Sequence, residues 1–280
     1  MTGSKWRSVA DAVDLVSSGM TVGLGCIGAE PTALTAELWR RGGDLKDVTI
    51  LTGMLLTGYD FLTDHPGAFG LRTWFMPGTL LGGAAREVRA DYMPLNWTQT
   101  ARMLSGARID IAFVQVSEAD ANGYHSLGIS VGQQVPMIQS ARIVVAEVNP
   151  QMPYTGGSAL VHGSQIDVLV CADHPLIPFP HRKGDEIDRQ VARNAAQHVP
   201  DGAFLQFGIG GIPSAMLAEL QDMNRRDLTI YSQLSDPGVG LIEGGSCRRD
   251  GPACIIGEIL GSEDLYRWAH GRSDLRMASA

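Results

Sequence analysis

Cysteine is scarce and unpaired in this chain. Cys26, Cys171, Cys247 and Cys254 are scattered through 280 residues with no C-x-x-C spacing. That excludes a disulfide scaffold or a structural zinc knuckle and points to a reducing compartment. Basic runs are missing as well. Lys and Arg number 22 against 30 Asp and Glu, a formal net charge of -8. The chain therefore carries no electrostatic footprint for a nucleic-acid backbone. No apolar stretch is long enough to cross a bilayer, and the opening Met-Thr-Gly-Ser-Lys-Trp has no signal core. The expectation is a cytoplasmic protein that needs no metal and binds neither nucleic acid nor membrane.

What the chain does have is an internal repeat. Residues 19–38 read GMTVGLGCIGAEPTALTAEL, and residues 202–220 read GAFLQFGIGGIPSAMLAEL. With one deletion, Pro31, Ala33, Ala36, Glu37 and Leu38 fall on Pro213, Ala215, Ala218, Glu219 and Leu220. Downstream, Asp47-Val48-Thr49-Ile50 answers Asp227-Leu228-Thr229-Ile230. A repeat this long is a duplicated domain rather than a solenoid unit.

Around the repeat, apolar residues alternate between helical spacing and short continuous runs. Residues 8–18 predict a helix and 21–25 a strand. A helix follows from Pro31 to the Gly42-Gly43 pair, and 48–52 is a second strand. The runs at 109–116 and 142–148 suit a parallel sheet covered on both faces. In the second copy, 187–198 predicts the opening helix. The proline-rich stretch 175–183 reads as a connection. The predicted class is α/β, two tandem open parallel-sheet domains over 1–183 and 184–280, the second shortened. A shortened parallel sheet leaves an edge and an apolar face to be covered, most simply by another subunit.

Gly23-Leu24-Gly25-Cys26-Ile27-Gly28 matches G-x-G-x-x-G. A dinucleotide site needs an acidic residue at the end of the next strand, and here that strand ends Ile50-Leu51-Thr52-Gly53. The NAD reading is therefore rejected. In the second copy, Gly208, Gly210, Gly211 and Ile212 lie before Pro213 at a helix N-terminus. Their amides suit an anion or an oxyanion. Equally, the glycines can serve only a tight strand-to-helix turn.

Taken in order, several segments resemble the acetyl-CoA hydrolase/CoA-transferase family of the butyrate and 4-hydroxybutyrate type. They are Gly28-Ala29-Glu30-Pro31, Arg89-Ala90-Asp91-Tyr92, Val114-Gln115-Val116-Ser117, Asn122-Gly123-Tyr124, Ala146-Glu147-Val148-Asn149 and Leu205-Gln206-Phe207-Gly208-Ile209-Gly210-Gly211-Ile212-Pro213. The resemblance implies two tandem NagB/RpiA/CoA-transferase-like domains with the active site between them. It implies coenzyme A as the thioester carrier and an acyl thioester, with a carboxylate acceptor, as substrate. It also implies a longer C-terminal domain than this chain has. A homodimer or a hetero-oligomer with a completing chain is therefore expected.

The family's nucleophile is a glutamate in an Ile-His-(Thr/Ser)-Glu-(Met/Leu) segment. Here that segment reads Ile230-Tyr231-Ser232-Gln233-Leu234. A neutral amide cannot form an acyl anhydride, so the implied glutamyl-CoA route is closed at Gln233. Glu243 matches a different family glutamate. The chemistry expected is that of a diverged thioester enzyme: hydrolysis, carbon–carbon cleavage, decarboxylation or condensation. A transferase component completed by a partner and a non-catalytic CoA-binding subunit are the alternatives.

The candidate catalytic residues are Gln233, Cys26 and Glu30. Cys26 is either a thiol activated at a helix start or a buried small hydrophobe. Glu30 is either a general base or a support for the helix start. Gln115 and Ser117 end a strand where open sheets bind ligands, and Ser232 flanks Gln233. His125 reads as a surface-loop histidine.

Overall fold

The computed structural model describes residues 5–76, 78, 88–179, 182 and 184–279. The boundary placed at Lys183 lies outside the described residues, as do Pro180 and His181 of the expected connection.

Seven parallel strands form the first sheet: β1 (Thr21–Leu24), β2 (Val48–Thr52), β3 (Phe69–Thr73), β4 (Ala90–Tyr92), β5 (Ile109–Val116), β7 (Ala141–Val148) and β10 (Val168–Cys171), in the order β10-β7-β5-β1-β2-β3-β4. A two-stranded antiparallel ribbon pairs β6 (Tyr124–Ser126) with β9 (Leu160–His162). The helices between the strands are α1 (Val9–Val13), α2 (Thr32–Arg40), α3 (Phe61–Asp64), α4 (Trp97–Gly106) and α5 (Gln134–Ser140). The apolar runs of β5 and β7 are buried because both faces of this sheet are covered. Helix α1 is shorter than the expected 8–18. It ends at Asp14, and Gly19, at φ 80°, turns the chain into β1.

The second sheet runs β11-β12-β13-β14-β8. Its strands are β11 (Phe204–Gln206), β12 (Thr229–Leu234), β13 (Cys254–Ile259) and β14 (Leu275–Met277), with β8 (Gly156–Gly157) supplied from the stretch between β7 and β10 of the first sheet. Helices α6 (Glu186–Ala196), α7 (Gly211–Asp222), α8 (Asp236–Glu243) and α9 (Glu263–Trp268) connect them. α6 starts at an Asp185/Asp188 capping box.

The repeat survives in backbone detail. Gly19 and Gly202 have φ of 80° and 76°, and Asp47 and Asp227 both have φ of 56°. Gly19 donates to the Lys46 carbonyl as Gly202 donates to Arg226, each at 2.9 Å. These left-handed positions suit Gly and Asp, which is why they persist in both copies.

One buried cluster joins the two sheets: Val114, Val116 and Val148 share it with Leu205, Ile230 and Ile256. The inner side of the second sheet and helices α7 and α8 belong to that cluster through Leu217, Leu220 and Leu241. The alternating residues face outward instead, leaving Phe204 61% and Tyr231 48% exposed. A parallel sheet is normally covered on both faces, and this one has a bare face.

Candidate functional site

The carboxyl ends of the two sheets meet. β1 is the strand from which the first sheet runs outward in both directions, with β5 on one side and β2 on the other. The crevice past the end of such a strand is where open sheets take ligands. Cys26 lies there, two residues past β1. From the second sheet, Gln233 near the end of β12 and Glu258 near the end of β13 reach the same place.

A cavity of about 200 Å³ is lined by Cys26, Trp74, Trp97, Gln133, Gln233 and Glu258, among others. Ile209, from the turn between β11 and α7, also lines it. A second cavity of about 390 Å³ shares Trp97, Gln233 and Glu258 with the first and continues over Tyr231 and Ser232 on the bare sheet face. Gln233 and Glu258 thus stand where the smaller, largely apolar cavity meets the larger one. A third cavity, of about 410 Å³ between Met152, Pro175, Tyr266 and Arg267, contains none of these strand-end residues.

A bulge sets the pair. Ser232 is level with Ile256, but Gln233 is level with Glu258, so Gly257 is an extra residue in β13. Ser232 sits at the break with φ 101°, a left-handed conformation rare for a residue other than Gly. Bulges of this kind re-aim a side chain at a site. Here the extra residue brings Glu258 beside Gln233.

Glu258 is 4% exposed, and neither of its carboxylate oxygens has a hydrogen-bond partner. Burial raises its pKa to about 8; the Ser130 hydroxyl and Gly132 amide are near enough to temper the shift without closing a bond. Sequence reasoning missed this residue. The signal was one charge inside the apolar run Cys254-Ile255-Ile256-Gly257-Glu258-Ile259-Leu260.

Cys26 is buried, and its Sγ approaches Gln133 Oε1 at 3.8 Å. Burial first, then the negative fields of Glu258 and Glu30, push the thiol pKa well above its ordinary value. An activated thiolate needs the opposite surroundings. Glu30 is fully buried, and burial raises its pKa to about 7 against the pull of its hydrogen bonds. It accepts from the Leu56 amide and from the Thr57 hydroxyl at 2.6 Å, so it holds the loop after β2.

Gln115 is occupied internally: its Nε2 donates to the Glu30 carbonyl at 2.6 Å and its Oε1 accepts from Asn149 Nδ2 at 3.1 Å. Ser117 Oγ donates to the Glu118 carbonyl and accepts from the Ser126 amide. Neither lines the two strand-end cavities. His125 is not a surface-loop residue. It is buried in β6, with Nδ1 2.8 Å from the Ser117 carbonyl oxygen.

The two glycine turns differ. The start of α2 is already served by Glu147, whose Oε2 accepts from the Leu34 amide at 3.0 Å. The start of α7 has no side-chain cap. Its Gly210 has φ 146°, a conformation that L side chains rarely adopt. Gly211 lies against Asp188 of α6, whereas a Cβ on Gly208 would meet nothing within 4 Å. Gly208 and Ile212 are exposed. Among the described residues, no group of three or more His, Cys, Asp or Glu could hold a metal ion, and no helix is long and apolar enough to cross a membrane.

Residues 3–180 match the acetyl-CoA hydrolase/transferase N-terminal domain. The 4-hydroxybutyrate coenzyme A transferase of Clostridium kluyveri is 34% identical over 210 residues, covering 70% of this chain and 48% of that protein. Among solved structures, RipA from Yersinia pestis is 26% identical with a TM-score of 0.88, covering 98% of this chain and 68% of that one. A 4-hydroxybutyrate CoA-transferase from Porphyromonas gingivalis is 25% identical with a TM-score of 0.79, covering 98% and 67%. The chain spans about half the length of the curated relatives it matches, 48%, 50% and 53% for three of them. By the matched domain and by these likenesses, the chain belongs to the acetyl-CoA hydrolase/transferase family.

Proposed function

We propose that this chain is an enzyme acting on an acyl-CoA or related acyl thioester, with its chemistry in the chamber between the two sheets. One observation carries the reading: in a chain of this family, the carboxyl ends of β1, β12 and β13 enclose a largely apolar cavity into which Gln233 and Glu258 are set side by side. The thioester carbonyl enters from the larger cavity. The uncapped α7 start, with Gly208, Gly210, Gly211 and Ile212, offers amides to its oxygen. Gln233 donates a hydrogen bond to the acyl group or to the developing oxyanion, and Ser232 holds the turn of strand that presents it. Cys26 keeps its proton and forms part of the wall, while Glu30 keeps its loop contacts behind it.

An amide at position 233 cannot serve as an acyl acceptor, so the classical glutamyl-CoA route does not run through Gln233. Hydrolysis and transfer to a carboxylate are the reactions that a thioester site with a nearby carboxyl group serves most directly. The test is turnover of acetyl-, butyryl- and succinyl-CoA by the purified chain, read as free thiol released without added carboxylates and as new acyl-CoA formed with them. Turnover of any member supports the reading. No turnover and no measurable CoA binding contradicts it.

A second reading rests on the bare face. Tyr231 and the half-buried Ile255 are level on β12 and β13, and Phe204 lies two residues before the β11 position level with Tyr231, with no cover among the described residues. Exposed apolar surface next to a site favours a homodimer or a completing chain. In that case this chain supplies one wall of a CoA-transferase, or a CoA-binding subunit without chemistry of its own. Native mass spectrometry at micromolar concentration should give a dimer or larger. A stable monomer would show that the face stays open.

A further inference from the structure

A carboxyl group buried without a hydrogen bond is expensive, since an unpaired buried charge costs several kcal/mol. Chains keep such a group where it does something. Glu258 is the clearest case here. Both its oxygens lack partners, as does the Ser130 hydroxyl nearby. The Ser130 backbone forms an isolated bridge with Glu258 across the two halves of the chain, and Val131 and Ile259 donate on either side to Gly257 and Ile129, at 2.9 and 2.7 Å. The strand end that carries Glu258 is therefore fixed from both directions, while its carboxylate is left unengaged.

We propose that Glu258 is the carboxylate nucleophile of this site, standing beside Gln233 and doing the work that an amide at 233 cannot do. The proposal rests on the thioester reading above. The steps balance without any other reagent than substrate and acceptor. A Glu258 carboxylate oxygen attacks the thioester carbonyl carbon. The carbon–sulfur bond breaks, CoA leaves as thiolate, and the acyl group is held as a mixed anhydride on Glu258. The thiolate then attacks the Glu258 carbonyl carbon, releasing the acyl group as a carboxylate and leaving a Glu258–CoA thioester. An acceptor carboxylate reverses the two steps and regains CoA, whereas water yields free thiol and the Glu258 carboxylate. Gln233, level with Glu258, donates to the tetrahedral oxyanion in each step.

The attack needs the ionised form. The titratable groups that act on Glu258 or are felt around it are the Cys26 thiol after β1, the Glu30 carboxyl behind it, and the Tyr266 phenol on α9. Each of these is raised above its ordinary pKa, so the two acids and the phenol add no cation to ease the ionisation. The rate should therefore fall on the acid side of about pH 8, following Glu258 itself.

The experiment uses the whole chain with acetyl-, butyryl- and succinyl-CoA. The protein is incubated with each, trapped with hydroxylamine or borohydride, digested and mapped by mass spectrometry. The expected result is modification at Glu258, together with a loss on the order of 10³-fold in turnover for Glu258→Gln. Glu258→Asp keeps the charge but withdraws it, and should retain a fraction of the rate. Turnover with modification at another residue, or at none, overturns the proposal while leaving the thioester reading standing. No turnover and no adduct overturns both. If Glu258→Gln does not fold, the map of the unaltered protein still decides, because it needs no variant.

Discussion

Two buried acids, Glu258 on the wall of the chamber and Glu30 behind Cys26, differ in their company. Glu30 is held by Leu56 and Thr57, and Glu258 has no bonded partner. Burial lifts both above the ordinary value of 4.5, to about 7 and about 8. An unfolded chain gives up these protons first. Stability should thus be greatest below pH 4.5 with respect to these two groups and decline as pH rises through each folded pKa, by up to about 1.4 kcal/mol per unit for each group. Urea unfolding followed from pH 5.5 to 8.5 should show the decline. In Glu258→Gln it should be shallower and should level off above pH 7, as Glu30 passes its folded pKa of about 7. Equal slopes for the two proteins would mean that Glu258 is not buried as an acid. Little of this was legible beforehand. Gln233, Cys26 and Glu30 stood out because they sit in segments with a recognisable order. Glu258 sits in an apolar strand with nothing around it to mark it, and only the bulge at Gly257 sets it beside Gln233.

At the scale of elements, the repeat was the most readable feature, because it rests on local conformation. Gly19 and Gly202, and Asp47 and Asp227, adopt the same left-handed angles for the same steric reason, and β2 and β5 run over the stretches that their apolar runs predict. The histidine in β6 was misread because its strand is short and pairs with β9, a partner distant in sequence. The strand exchange by β8 was invisible for the same reason: a Gly-Gly pair has no apolar pattern to announce a strand. The turn after β11 also changes the choice of probe. A side chain at Gly210 is strained by φ 146° whatever its role, whereas Gly208 has open space. For β12, removing the amide in Gln233→Ala should lower turnover on the order of 10²–10³-fold if it donates to an oxyanion, with unchanged unfolding. A rate within a few-fold of the parent protein would leave Gln233 with a packing role.

For the whole molecule, the fold follows from duplication, and the site follows from how the two copies face each other. The first copy builds a sheet covered on both faces; the second builds one covered on a single face, in a chain spanning about half the length of its curated relatives. The family resemblance implied a site between the copies, but not the side chains that meet there, because those come from strand ends more than 200 residues apart, Cys26 and Glu258. The central claim is thioester chemistry in that chamber with a carboxylate, not a thiol, as its reactive group. The most direct measurement is the rate at which the acyl-CoA panel is consumed, with and without an acceptor carboxylate, by three proteins side by side: the unaltered chain, Cys26→Ala and Glu258→Gln. The account predicts that the first two turn over at rates within a few-fold of each other and that the third is nearly silent. Loss of turnover in Cys26→Ala with Glu258→Gln still active, or no acyl-CoA consumed by any of the three, would contradict it.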